Sequence, residues 1–327
     1  MKLLRLTAIL TLTLAVVPGC ARDGRPRVGF VTNNAEEFWL IAEAGARKAD
    51  QEFGVNCLYR RPQAGTADQQ KTIIDDLLTQ RVQAIALSVN NPKDQHDYLN
   101  SIAAKVPLIT QDNDAPDTNR VCYIGTDNYE AGKAAGELVK EVMPDGGTVA
   151  IFVGVPDALN AQQRTQGVLD VLAGQKDAKG PDYGNYKLHG RKPFYDYVKT
   201  DKAKQNAADV LTALQNEKNV CLVGLWAYNP PAILSAVRQA GKLGQVKIVA
   251  FDEMDDTLRG IEVGEIHATV VQQPYKFGYE SVKMMAHLIK GDRSVVPSIG
   301  IMYIPHRVIR RADAAEFTAE LRKLRGK

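Results

Sequence analysis

An α/β protein of two doubly wound, parallel-sheet lobes is what this sequence predicts. Three observations carry the prediction. Short β-branched runs alternate with amphipathic helical stretches along almost the whole chain, as βαβ units do. The alternation yields about ten strands, more than one open sheet holds comfortably, and it falls into two similar series. The length, 327 residues, is ample for two cores.

The first series opens with a strand at Arg27 to Thr32, a helix at Trp39 to Phe53 and a strand at Val55 to Arg60. Thr66 to Gln80 is helical, with Ile73, Ile74, Leu77 and Leu78 at core spacing. A strand at Ala84 to Ser88, a helix at Asp94 to Ala104 and a strand at Pro107 to Thr110 complete it. The second series has strands at Val121 to Gly125, Thr148 to Val153, Phe194 to Lys199, Val220 to Leu225, Lys247 to Phe251 and His267 to Gln272. Between and after them lie helices at Tyr129 to Val142, Ala161 to Leu172, Ala203 to Gln215, Pro231 to Ala240, Asp255 to Val263 and Tyr275 to Ile289. Gly174 to Lys192, rich in Gly, Lys and Asp, reads as a surface excursion. The tail from Arg307 to Lys327 alternates basic and apolar residues and reads as a solvated final helix.

The first twenty residues differ from the rest. Lys2 and Arg5 precede an apolar run from Leu6 to Val17, too short for a comfortable membrane span but right for a signal peptide. The run ends at Val17-Pro18-Gly19-Cys20, which resembles the lipobox of bacterial lipoproteins. Residues 1–19 are therefore expected to be a leader, Cys20 a lipidated first residue, and residues 20–24 part of a short polar linker. Ordinary signal-peptidase cleavage nearby is the alternative. Cys57, Cys122 and Cys221 remain, in or beside apolar β-like runs and with no metal-type spacing, so buried thiols are expected. A formal charge of +3, with no basic cluster outside the tail, gives no footing for nucleic acid.

Open parallel sheets place ligands at the carboxyl ends of their strands. There the sequence sets Glu36, Phe38 and Trp39 after the first strand, Asp112, Asn113 and Asp114 after the fourth, Asp252 after Val249 to Phe251, and Gln272 after Val270-Val271. Carboxylates and amides suit a ligand rich in hydroxyls, and aromatic rings suit the C–H face of a sugar. Taken singly, each polar residue is equally a helix cap and each ring equally core filling; their convergence favours a site.

These segments, taken in order, resemble the ribose-type periplasmic sugar-binding proteins. The resemblance rests on Arg27 to Gly54 with Phe38-Trp39, Val106 to Thr110 followed by Asp112, and Tyr123-Ile124-Gly125-Thr126-Asp127-Asn128. Asn160-Ala161-Gln162-Gln163-Arg164, Val249 to Asp252, Gln272-Gln273-Pro274 and Leu288-Ile289-Lys290-Gly291 extend it over nearly the whole mature chain. It implies two lobes joined by three crossovers, closing on a ligand. It adds Gln162, Arg164 and Asn229 to the candidate ligand contacts, and a membrane ABC permease as partner. Lobe one is expected at 25–126 plus 273–296 and lobe two at 127–272 plus 297–327. Asn113 stands where ribose binders carry arginine, Gln162 where their motif has its first arginine, and Glu36 where a ligand amide is common; these departures point away from ribose itself. The expected ligand is a small neutral sugar or polyol, bound by a monomer without cofactor or metal.

Other classes find less support. There is no phosphate-binding Gly-rich loop, nucleophile elbow or His-Glu-x-x-His motif, so an enzyme is not expected. A repressor of the same two-lobed design would need a DNA-binding head where this chain has its leader. A sensory binding protein docking on a chemoreceptor or sensor kinase would use the same pocket, and the sequence does not separate it from a transport protein.

Overall fold

The computed structural model describes residues 24–180 and 182–325. The leader and Cys20 lie outside the described residues. Two sheets form, one in each lobe. The first has the order β13-β5-β4-β3-β1-β2. It comprises β1 (Arg27–Val31), β2 (Asn56–Arg60), β3 (Ile85–Leu87), β4 (Leu108–Gln111), β5 (Cys122–Gly125) and β13 (Ile301–Tyr303). Every pairing within it is parallel. Helices α1 (Phe38–Phe53) and α9 (Pro274–Leu288) cover one face, and α2 (Ala67–Thr79) and α3 (Pro92–Ala103) the other. Burial on both faces explains why these strands read as continuous apolar runs. Helices α1 and α9 approach so closely that a Cβ on Gly45 would lie 1.9 Å from the Tyr275 carbonyl oxygen, and one on Gly278 as near to that of Ala42.

The second sheet runs β14-β12-β11-β10-β6-β8-β7, with β9 also paired to β6. Its members are β6 (Gly147–Val153), β7 (Asp182–Tyr183), β8 (Tyr186–Leu188), β9 (Phe194–Tyr195), β10 (Val220–Gly224), β11 (Val246–Phe251), β12 (Ala268–Val271) and β14 (Arg307–Arg310). Around it lie α4 (Asn128–Val142), α5 (Leu159–Ala173), α6 (Thr200–Ala213), α7 (Asn229–Gln239), α8 (Asp255–Glu262) and α10 (Arg311–Leu324). β7 and β14 pair antiparallel at its two edges.

Four expectations are corrected. The boundary at 296/297 falls too early: Ile301–Tyr303 pairs with β5 in the first sheet, and the Ile304 N–H bonds the Gly125 carbonyl at 2.7 Å. The chain therefore crosses between lobes at 126–127, 272–273 and 304–306. The excursion at 174–192 builds β7 and β8 and buries Tyr183, Tyr186 and Leu188. The strand foreseen to Lys199 stops at Tyr195, because Tyr197 and Val198 turn into the left-handed region at φ 56° and 61°. The tail is an edge strand followed by a helix that buries Ala314, Phe317 and Leu321, not a wholly solvated helix. Cys57, Cys122 and Cys221 are buried free thiols.

Candidate functional site

The carboxyl ends of the two sheets face each other, and the key turn in each lobe is built alike. β4 ends at Gln111 and β11 at Phe251; the next residue in each case is an aspartate with positive φ, 60° at Asp112 and 65° at Asp252. Asp tolerates this conformation better than most residues because its short polar side chain bonds locally. Each aspartate still pairs its N–H with the neighbouring strand, Asp112 to the Ile124 carbonyl at 3.1 Å and Asp252 to that of Val270 at 2.8 Å. The backbone then turns away from the sheet, and both carboxylates line one small cleft enclosing about 370 Å³ of empty space, part of it open to solvent.

The remaining walls are Asn33, Asn34, Glu36, Phe38 and Trp39 from lobe one, with Asn160, Arg164, Trp226, Ala227, Tyr228 and Gln272 from lobe two. Trp39 is fixed by its indole N–H, which bonds the side-chain oxygens of Asn33 and Asn34 at 3.1 and 3.0 Å. Phe38 meets it edge to face at 5.0 Å. Opposite, Trp226 and Tyr228 pack edge to face at 6.3 Å. A Cβ on Gly154 would sit 2.0 Å from the Trp226 ring, so only glycine at the end of β6 admits that indole.

Asp112 accepts from Ser88 Oγ at 2.8 Å and Asn33 Nδ2 at 3.4 Å; Asp252 accepts from Gln272 Nε2 at 2.9 Å. Burial pushes both carboxyls above the ordinary range, while the Arg164 guanidinium draws them down. Burial likewise raises Glu36, with Glu37 adding to it. Arg164 is 1% exposed, stacked 4.0 Å over the Phe251 ring, and held by Nε to Asn128 Oδ1 and by Nη1 to the Leu225 carbonyl, both at 2.9 Å. Its Nη2 has no protein partner, nor do Gln272 Oε1, Asn160 Oδ1 or Trp226 Nε1. A buried polar group left unpaired costs about 1–3 kcal/mol. These walls therefore favour a ligand that both donates and accepts hydrogen bonds while offering apolar faces to the rings. The lining residues include no Ser, Thr, Cys, His or Lys, so they pair no such nucleophile with a base.

Of the eleven residues singled out by sequence, Glu36, Phe38, Trp39, Asp112, Arg164, Asp252 and Gln272 line this cleft. Four do not. Asn113 lies beside it and closes the lobes, accepting from the Asn160 N–H at 3.0 Å while its Nδ2 bonds the Val89 carbonyl. Asp114 turns back to pair with Arg120, whose Nη2 lies 2.7 Å from its Oδ2. Gln162 is exposed and bonds the Pro156 carbonyl at 2.9 Å. Asn229 is fully buried beneath the cleft, where its Oδ1 takes the Trp226 N–H and its Nδ2 bonds Asp196. Sequence reasoning missed Asn33, Asn34, Asn160, Trp226 and Tyr228. Trp226 and Tyr228 follow β10, so the strand-end rule pointed to them.

A family model described as a periplasmic binding protein domain matches residues 28–293. The chain belongs to this family. Among curated relatives, the ribose import binding protein RbsB of Salmonella typhimurium is 27% identical over 300 residues, covering 89% of this chain and 94% of that protein. Among solved structures, GanP, a glucose-galactose binding protein from Geobacillus stearothermophilus, superposes with a TM-score of 0.79 at 28% identity, covering 88% of this chain and 98% of that one. An ABC transporter solute binding protein from Burkholderia graminis, in complex with D-arabinose, gives a TM-score of 0.79 at 26% identity, covering 88% of this chain and 96% of that one. In this chain Asp112, from lobe one, and Arg164 and Asp252, from lobe two, line the same cleft.

Proposed function

We propose that this periplasmic binding protein captures a small neutral sugar or polyol between its lobes and delivers it to an ABC importer. The observation that carries the reading is the meeting of Asp112 and Asp252, from opposite lobes, across one small cleft walled by aromatic rings and Arg164. Contacts made by both lobes at once exist only when the cleft is closed, so the ligand draws an open–closed equilibrium toward closure. Three lining carboxylates against one guanidinium disfavour an anionic ligand, whose buried charge would lack compensation. The names of the relatives, which bind ribose, glucose, galactose or arabinose, support the sugar class.

A thermal-shift panel of pentoses, hexoses, polyols, amino acids and sugar phosphates tests this. A ligand at about 100 times its dissociation constant stabilises the folded state by about 2.7 kcal/mol if it binds only that state. Stabilisation by a neutral sugar or polyol is expected; a response confined to sugar phosphates or amino acids overturns the reading.

The location that fits is the extracytoplasmic side of the membrane. No helix among the described residues is long and apolar enough to cross a bilayer, and Cys20 supplies the proposed lipid anchor. Cys20→Ser should move the protein from the membrane to the soluble fraction of its host. A processed variant that stays on the membrane would show that something else holds it.

A further inference from the structure

The cleft's cationic contact and one of its anionic contacts are each held by an amide at a crossing between the lobes. At the second crossing, Gln272 is the last residue before the chain re-enters lobe one, and its Nε2 holds Asp252; Gln272 itself lines the cleft. At the first crossing, Asn128 is the first residue of α4, and its Oδ1 accepts from Arg164 Nε at 2.9 Å; Asn128 does not line the cleft. It is 4% exposed. Its Nδ2 faces backward into the hinge, 3.3 Å from both the Thr126 carbonyl and the Tyr123 hydroxyl and 3.5 Å from the Asp112 carbonyl. Tyr123 Oη completes the knot, its single proton shared between the Asp112 and Thr126 carbonyls, each 2.9 Å away. Because Asp112 has positive φ, it sends its carbonyl to this knot and its carboxylate to the cleft.

We infer that Asn128 is a positioning residue for the ligand: it fixes the Arg164 guanidinium from the hinge side and ties it to the backbone of Asp112. The geometry leaves Arg164 few other anchors. Nη1 is committed to the Leu225 carbonyl, the ring of Phe251 supports one face, and Nη2 is the nitrogen without a protein partner. Without the Nε bond, the guanidinium would pivot about Nη1 and lose its aim. An Asn at the crossing thus makes hinge geometry and the direction of the cation one structural unit. This inference rests on reading the cleft as the sugar site.

The test is a double-mutant cycle, since residues in one hydrogen-bonded network are non-additive. Dissociation constants are measured by calorimetry for D-ribose, D-arabinose, D-allose and D-galactose, using whichever binds the wild type. If none of the four binds, the neutral sugar or polyol that most stabilises the wild type in the thermal-shift panel is titrated instead, and a panel in which none does overturns both the reading of the site and this inference. Asn128→Ala should weaken binding about tenfold, the loss of one hydrogen bond to a charged group. In an Arg164→Lys background, which lacks the Nε–H, the same change should weaken it less than about twofold. Circular dichroism confirms that the variants fold, and Asn128→Ser serves in place of the alanine variant if that one does not. Equal losses from Asn128→Ala in the two backgrounds would overturn the inference while leaving the sugar site standing.

Discussion

The two halves of the cleft share a backbone design and differ in what stands behind it. Asp112 and Asp252 occupy equivalent left-handed turns, yet lobe one steadies its aspartate with two neutral donors, Ser88 and Asn33, whereas lobe two uses one, Gln272. Lobe two also stacks further carboxyls behind its ligand face. Asp196 lies under Tyr228, and Glu253 is 3% exposed with neither carboxylate oxygen paired. The turn geometry can thus be common to both lobes while the charge environment is set separately by each lobe's second tier. Arg164 belongs to lobe two but answers both aspartates: burial lowers its pKa, and the carboxylates of Asp252 and then Asp112 oppose that.

That asymmetry predicts unequal losses. In the proposed sugar site, Asp112→Ala and Asp252→Ala each remove a charged acceptor, worth about 1.5–3 kcal/mol, or about ten- to a hundredfold in affinity. Asp252→Ala should be the worse. It also removes the stronger counter-charge of Arg164 and strips Gln272 Nε2 of a bond of 2.9 Å, whereas Asp112→Ala leaves Ser88 free to rotate its hydroxyl elsewhere and costs Asn33 Nδ2 only a long contact of 3.4 Å. Calorimetric titration of both variants with one sugar decides it. Equal losses, or a larger one at Asp112, would mean that neither the counter-charge of Arg164 nor Gln272 sets the two sides of the cleft apart.

The sequence made some of this legible and not the rest, for identifiable reasons. Central strands such as β1, β4, β6 and β11 are buried on both faces, so their apolar runs announce them, and the rule about strand ends then led straight to Asp112 and Asp252. Strands β7, β8, β13 and β14 are edge or near-edge strands of two to four residues with exposed positions. They carry no periodic signal, and missing β13 displaced the lobe boundary. Within the turns, residue type did not give side-chain direction. Asn113 and Asp114 directly follow Asp112, yet one reaches across to the other lobe's backbone and the other turns back to Arg120. Asn229 and Gln162 came from a motif rather than from geometry, and one lies beneath the cleft while the other faces solvent. Asp196 was invisible because it falls where an expected strand breaks into a left-handed turn at Tyr197 and Val198.

Asp196 gives the smaller and more specific test of the contrast, since lobe one has no lining tyrosine backed in this way by a carboxylate. It is 1% exposed and accepts from Tyr228 Oη at 2.5 Å, Asn229 Nδ2 at 2.8 Å and the Val198 N–H at 2.9 Å. Burial pushes its pKa up to about 6 even though all three bonds pull the other way. An unfolded aspartate titrates at about 3.9. Between those values the native state keeps a proton that the unfolded state has released, so the slope of unfolding free energy with pH is negative. The contribution of Asp196 to stability is therefore fully present below about pH 4, is lost as pH rises to about 6 and is constant above that. Buried Asp112, Asp252 and Glu253 titrate upward as well, so the wild-type curve alone does not isolate it. Urea unfolding of wild type and Asp196→Asn at matched pH values does, because the other groups are common to both. As pH rises from about 4 to 6, wild type should lose stability relative to the variant, and the difference should then level off. A flat difference across that window, or one of opposite slope, would place the proton elsewhere and remove Asp196 from the second tier that sets lobe two apart.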